Sequence, residues 1–226
     1  MNRVPLERKV LNENDRIAVD LRERFRAHGV LCLNMISAPG SGKTSLLEHT
    51  LETFGPSDRV AVLTGDIQTD RDAARLKRYG FPVKQITTGG TCHLDARMID
   101  RALSGWNLGE IDLLLIENVG NLVCPSSFDL GEAAKIVVLS VTEGEDKPLK
   151  YPGIFHRAAL MILTKTDLLP HVEFDPDLAL ENAHKVNPEI EYIALSSRTG
   201  DGFDVWLHWL NALQHKVQHS AAAINS

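Results

Sequence analysis

The stretch Ser37-Ala38-Pro39-Gly40-Ser41-Gly42-Lys43-Thr44 follows an apolar run, Val30 to Ile36 (VLCLNMI), and leads into a helical pattern from about Thr44 to Phe54. Strand, glycine-rich turn, Gly-Lys-Thr and helix, in that order, nearly fit the pattern of a phosphate-binding P-loop. The chemistry requires these residue types. Gly40 and Gly42 let the backbone bend so that its N–H groups converge on a phosphate, and the helix N-terminus adds positive potential. Lys43 reaches the β- and γ-phosphates, and the Thr44 hydroxyl takes a Mg²⁺ coordination position. Gly40, Ser41, Gly42, Lys43, Thr44 and Ser45 are the expected phosphate-side set. The pattern departs at its first position, where Ser37 replaces glycine.

Working outward, apolar runs alternate with helical patterns along the chain. Arg59 to Thr64, Val83 to Ile86, Ile111 to Glu117, Lys135 to Val141, Ala159 to Leu163 and Glu191 to Leu195 read as strands. Asn12 to His28, Asp70 to Tyr79, Cys92 to Leu103 and Phe203 to Gln218 read as helices. Near-continuous apolar strands between helices predict an α/β fold: a mostly parallel sheet with helices on both faces. The expected organisation is an N-terminal helix over residues 1–29 packing on the core, a P-loop domain over 30–218 and a disordered tail over 219–226.

The 226 residues are 43% hydrophobic and 24% charged, with net charge −6. No basic patch dominates, so nucleic acid is not the expected partner. No apolar run approaches the length of a membrane span, and MNRVPLERKVLNENDRIA lacks the apolar segment of a signal peptide. Three widely spaced cysteines make no disulfide framework. The expectation is a reduced, cytoplasmic protein without membrane partners, whose cysteines are core residues or ligands.

Further motifs surround the P-loop. The second strand runs into Gly65-Asp66-Ile67-Gln68-Thr69-Asp70. Asp66 is placed to hold Mg²⁺ through water and Asp70 to orient an attacking water; an Asx turn with Asp70 as helix cap is the structural alternative. The strand IDLLLIE delivers Glu117, followed three residues later by Gly120. That pair resembles a γ-phosphate sensor, with Glu117 joining Thr44 and Asp66 as the magnesium set. Thr164-Lys165-Thr166-Asp167 resembles the guanine-recognition element Asn-Lys-x-Asp, in which the carboxylate accepts two N–H donors from guanine. Thr164 replaces the asparagine, which predicts loss of a bracing amide and weakened guanine preference. Ser196-Ser197-Arg198-Thr199-Gly200 resembles the loop that contacts the guanine oxygen, so Lys165, Asp167, Ser197 and Arg198 complete the nucleotide set. Together these elements point to a GTPase in which Lys43, Asp66, Asp70, Glu117 and Gly120 carry catalysis.

Gly89 to Ala96 (GGTCHLDA) places Cys92 beside His93, and Cys124 follows Gly120 by four residues. Both connections leave the carboxyl side of the sheet, so the three can lie together near the nucleotide. Cys and His suit Zn²⁺ or Ni²⁺. Three ligands leave the ion open, whereas two chains meeting face to face supply six; Asp95 or water can add donors. The alternative is that these cysteines, like Cys32 within the first strand, are small buried hydrophobes.

The segments NENDRIA, SAPGSGKTSLLE, TGDIQTDRDAARL, TCHLDARMI, IENVGNLVCPSSFDLGE, EGEDKPLKYP and LTKTDLLP resemble those of the hydrogenase-maturation nickel-insertion GTPases, the HypB family, over about Asn12 to Leu210. The resemblance implies a dimeric SIMIBI-type P-loop GTPase fold. It implies an interface metal site of Cys92, His93 and Cys124 that receives nickel or zinc. It further implies GTP-tightened dimerisation, and nickel release to a hydrogenase large-subunit precursor with a second nickel-handling accessory protein. The chain lacks the Cys-rich nickel motif and the histidine-rich stretch of some members. Alternatives are a urease-directed GTPase, a metal-binding module with vestigial GTPase activity and a small-molecule kinase; no arginine-rich acceptor lid supports the last.

Overall fold

The computed structural model describes residues 4–66 and 71–224. Helix α1 (Val4–His28) precedes β1 (Leu31–Ser37), α2 (Lys43–Glu52), β2 (Val60–Asp66), α3 (Arg71–Leu76), β3 (Val83–Thr87), α4 (Ala96–Leu103) and β4 (Leu113–Glu117). Then follow β5 (Ala134–Ser140), α5 (Lys147–Lys150), α6 (Pro152–Arg157), β6 (Leu160–Thr164), α7 (Pro176–Val186), β7 (Glu191–Ala194) and α8 (Phe203–Ile224). The seven strands form one sheet in the order β3-β2-β4-β1-β5-β6-β7, and every pairing is parallel.

Alternation along β1 sorts the core into two faces. Leu31, Leu33 and Met35 join Leu46, Leu47 and Leu51 of α2, Leu76 of α3, and Trp206 and Leu210 of α8. On the other face Cys32 joins Leu21 and Phe25 of α1 and Ile99 of α4. Ile36, on that same face, joins Phe155 of α6 and Ala179 and Ala183 of α7. Asn34 lies between these last two clusters in strand register and is fully buried. Strand order turns about β1, whose neighbours are β4 and β5, so the crevice beyond its carboxyl end is where an α/β sheet receives a ligand. Register sets Met35 of β1 and Thr64 of β2 level with Glu117 of β4, which aligns three strand ends at that crevice.

Three local expectations change. The helix expected from Cys92 begins at Ala96, because the Asp95 side chain accepts from Met98 N and stops the helix there. Cys92 and His93 therefore lie on a loop. The tail is not frayed at 219: α8 continues to Ile224, and Ala221 is buried where Gly29 leaves room at the end of α1. Helix α7 was not anticipated, although Asp175 capping Asp177 N and Leu178 N, with Pro176 at the first turn, is a sequence-level start signal. Among the described residues no helix is long and apolar enough to cross a membrane.

Trp206 is fully buried, and its indole N–H donates to Thr50 Oγ1 at 3.0 Å, joining α8 to α2 behind the P-loop. Trp206→Ala is expected to cost about 3–5 kcal/mol in equilibrium denaturant unfolding. A loss below about 1 kcal/mol would show that this contact does not secure α8.

Candidate functional site

The P-loop spans the gap between β1 and α2. Gly42 has φ +94°, a left-handed conformation that strains any side chain, and from it the chain enters α2 at Lys43. No side chain caps α2 and no acidic residue occupies its first turn, so its N–H groups face the crevice without a competing anion. Lys43 is buried and donates to Ser37 Oγ at 2.6 Å. Burial lowers its pKa, while Glu117, Asp72 and Glu143 pull it back up. The serine at the first motif position thus gives the buried ammonium a partner that glycine cannot.

Thr44 Oγ1 donates to Glu117 Oε1 at 2.6 Å. Glu117 Oε2 is buried with no hydrogen-bond partner. Burial pushes the Glu117 carboxyl up to about 7, although Lys43 and the Thr44 hydroxyl pull it down. A hydroxyl, a carboxylate with an unused buried oxygen, and Asp66 on the same cleft form a hard oxygen donor set that fits Mg²⁺. This cleft, about 520 Å³, is lined by residues 39–45 together with Gly65, Asp66, Asp72, Arg75, Glu117, Asn118, Gly120 and Lys165. A Cβ on Gly120 would stand 3.2 Å from Pro39 Cα, so the segment after β4 lies directly against the P-loop. Asp70 lies outside the described residues.

A second cleft of about 410 Å³ shares Gly42, Ser45 and Lys165 with the first and adds Asp167, Ser197 and Arg198. Here Thr164 makes a brace of its own. Its hydroxyl donates to Ser41 O at 2.6 Å and so braces β6 against the P-loop without an amide. Lys165, at φ 60°, adds a second brace by donating to Gly40 O at 2.7 Å. Asp167 Oδ1 accepts from Ser196 Oγ at 2.7 Å, and that oxygen in turn accepts from Arg198 N and Thr199 N. These bonds set the carboxylate's direction. Arg198 Nη1 stands 3.8 Å from Asp167 Oδ2 on an otherwise exposed side chain.

Cys92 and His93 lie on the loop before α4, and Cys124 opens a short 3-10 turn, Cys124–Ser127. Ligand atoms of the three lie within 4.8 Å of one another. The Cys92 and Cys124 sulfurs are paired as a disulfide with Cα atoms 6.2 Å apart. The expectation of unpaired cysteines therefore holds only for Cys32, which is buried and whose thiol burial pushes well up. Backbones at this separation allow the two sulfurs either to bond or to share a soft cation. His93 Nδ1 is 4.0 Å from Cys92 Sγ. Its ring stacks on Phe128 with centroids 3.8 Å apart, and burial lowers its pKa, favouring the neutral form that ligates metals. Asp95, considered as a further donor, has Oδ1 engaged by Met98 N at 2.7 Å.

Sequence reasoning missed Phe128, Asp72, Arg75 and Asn118. Arg75 is ion-paired with Glu48 at the cleft wall. Its helical spacing from Asp72 was readable, but neither residue's approach to the phosphate cleft was. Phe128 has no sequence signal at all, since its ring meets His93 only through folding.

The chain matches the family model "CobW/HypB/UreG, nucleotide-binding domain" over residues 32–194. It is 55% identical over 205 residues to hydrogenase maturation factor HypB of Azotobacter vinelandii, covering 91% of this chain and 68% of that protein. It is 44% identical to hydrogenase/urease maturation factor HypB of Helicobacter pylori, covering 86% and 81% respectively. The crystal structure of HypB from Helicobacter pylori in complex with nickel matches with TM-score 0.85 at 41% identity, over 90% of this chain and 96% of that one.

The raised Glu117 pKa has a stability consequence. The folded carboxyl holds its proton above its ordinary value of 4.5, so the associated stability is full below about pH 4.5 and is lost as pH rises through about 7. With nucleotide and divalent cations removed, Glu117→Gln is expected to gain unfolding free energy relative to wild type between about pH 5 and 8, on the order of 3 kcal/mol. Parallel pH–stability curves for the two proteins would refute the raised pKa of the buried Glu117 carboxyl.

Proposed function

The chain belongs to the CobW/HypB/UreG family, within its hydrogenase maturation factors, and we propose that it is a GTP-hydrolysing metallochaperone that couples GTP-dependent dimerisation to nickel binding and delivery. The observation that carries this reading is the sharing of one segment by two sites. Gly120 lies against the P-loop, and Cys124, four residues on, meets Cys92 and His93. A γ-phosphate that draws in the Gly120 N–H also displaces a metal ligand. Linkage requires the metal to alter nucleotide affinity or dimerisation in return.

The chemistry is phosphoryl transfer to water, giving GDP and phosphate. Lys43 and the loop N–H groups stabilise charge on the transferring group, and its burial strengthens that interaction. Thr44, Asp66 and Glu117 would hold Mg²⁺, which neutralises phosphate charge when bound. Asp70 orients the attacking water. Asp167, aimed by Ser196, reads the guanine N–H pair; Ser197 and Arg198 flank the base. Turnover is slow, since a delivery switch needs timing more than flux.

Nickel or zinc is cargo for Cys92, His93 and Cys124. Three ligands leave an open site that a second copy of the chain completes. Val123, next to Cys124 in the chain, is an apolar side chain 58% exposed. Expected partners are a nickel-handling accessory protein and a hydrogenase large-subunit precursor, in the cytoplasm. A urease precursor is the second reading, favoured by the dual name of the Helicobacter pylori relative; deletion phenotypes for the two nickel enzymes separate them.

Two experiments test the proposal. Lys43→Ala is expected to lower GTP turnover by about 10²–10³-fold, and turnover at the parent rate would remove the catalytic assignment. Sedimentation mass should rise from monomer with GDP to dimer with a non-hydrolysable GTP analogue, with Ni²⁺ bound in wild type and not in Cys92→Ala. A constant monomer whose nickel binding ignores Cys92 would leave a nucleotide hydrolase without this metal switch.

A further inference from the structure

When Cys92 and Cys124 are reduced to bind a metal, the Cys92–His93 arm is not joined to the nucleotide switch by a short run of chain as Cys124 is, yet side chains tie it there. Asn118 follows Glu117 and is 2% exposed. Its Oδ1 accepts from Leu94 N at 3.2 Å and from Val119 N at 2.9 Å. Leu94 is the residue after His93. From the same segment Asn121 Nδ2 donates to Cys92 O at 3.4 Å.

The direction of the Asn118 amide is imposed from below. Its Nδ2 donates to Asn34 Oδ1 at 3.1 Å, and Asn34 Nδ2 donates to Glu132 Oε1 at 3.2 Å. Glu132 is buried, pairs with Lys135 and accepts from Leu130 N at 2.6 Å. The Glu132 oxygen that holds Lys135 accepts, so Asn34 must turn its NH₂ toward Glu132 and its oxygen toward Asn118. Asn118 must then present its own oxygen to Leu94 N. A flip of either amide would set donor against donor or acceptor against acceptor in a buried site, where unmade hydrogen bonds are costly. The relay passes between the two apolar clusters on that face of the sheet, and Asn34 at its centre is fully buried.

We propose that Asn118 is a positioning residue whose side-chain amide carries the state of the nucleotide switch to the Cys92–His93 arm, so that both arms of the metal site move with one segment. This rests on the nickel-switch reading above. A natural control exists. Asn14 of α1 holds the end of the same loop by accepting from Ala96 N at 2.8 Å while donating to Asp129 O at 2.9 Å, so its hydrogen bonds bypass residues 117–121.

The test titrates full-length protein with Ni²⁺ in its GDP and GTP-analogue forms, following nickel–thiolate charge-transfer absorption. Wild-type affinity is expected to differ between the forms by at least about fivefold. In Asn118→Ala the ratio should fall to within about twofold of one. Asn14→Ala should weaken nickel binding in both forms and keep the ratio. Exchange of the Leu94 amide in wild type should differ between the forms by at least about fivefold, a measurement that stands even if Asn118→Ala does not fold. An Asn118→Ala protein that keeps the ratio, or Leu94 exchange indifferent to nucleotide, overturns this inference alone. A wild-type ratio of one overturns the nickel-switch reading and this inference with it.

Discussion

Lys43 and Glu117 are buried side by side where β1 and β4 end, and the chain does not satisfy either of them fully. Lys43 has a serine hydroxyl, and Glu117 has a threonine hydroxyl and one orphaned oxygen. Burying charges this way costs several kcal/mol each unless further partners arrive. In the proposed GTPase a polyphosphate and a divalent cation would complete the arrangement. Around this constraint the strands are set level, the loop is curled by Gly42, and Gly120 is held bare of a side chain against Pro39.

The same constraint shapes the base cleft and the metal loops. Thr164 and Lys165 both bond to P-loop carbonyls, so the base element is referenced to the phosphate site. Cys124 is reached by continuing the chain past Gly120, and Cys92 and His93 are held by Asn118, Asn121 and the stacked Phe128. Asp95 ends that loop by starting α4, which leaves the two ligands off the helix and free to face Cys124.

The P-loop, the strand alternation and the Glu117–Gly120 spacing were legible in the sequence because each is a local pattern. Backbone bending, side-chain period and chain reach act over a few residues. The Cys92–His93 neighbourhood was legible as soft ligands, and the shared carboxyl side of the sheet placed Cys124 near them. Less legible was the end of α8: an alanine-rich tail reads as frayed until Ala221 is seen to fit beside Gly29. Motif comparison counts the amide missing at Thr164, and only the folded chain brings its hydroxyl to Ser41 O at 2.6 Å.

The sequence by itself determined the fold class and put forward the phosphate and base elements and the candidate soft ligands, since these depend on residue type at short spacing. Only the tertiary structure decided which residues complete them. Phe128 against His93, Arg75 at the cleft wall and the Glu132–Asn34–Asn118–Leu94 relay join residues from different strands and loops. Such partners are chosen by burial. A buried amide must find its complement wherever the packed sheet brings one, and no spacing along the chain records where that is.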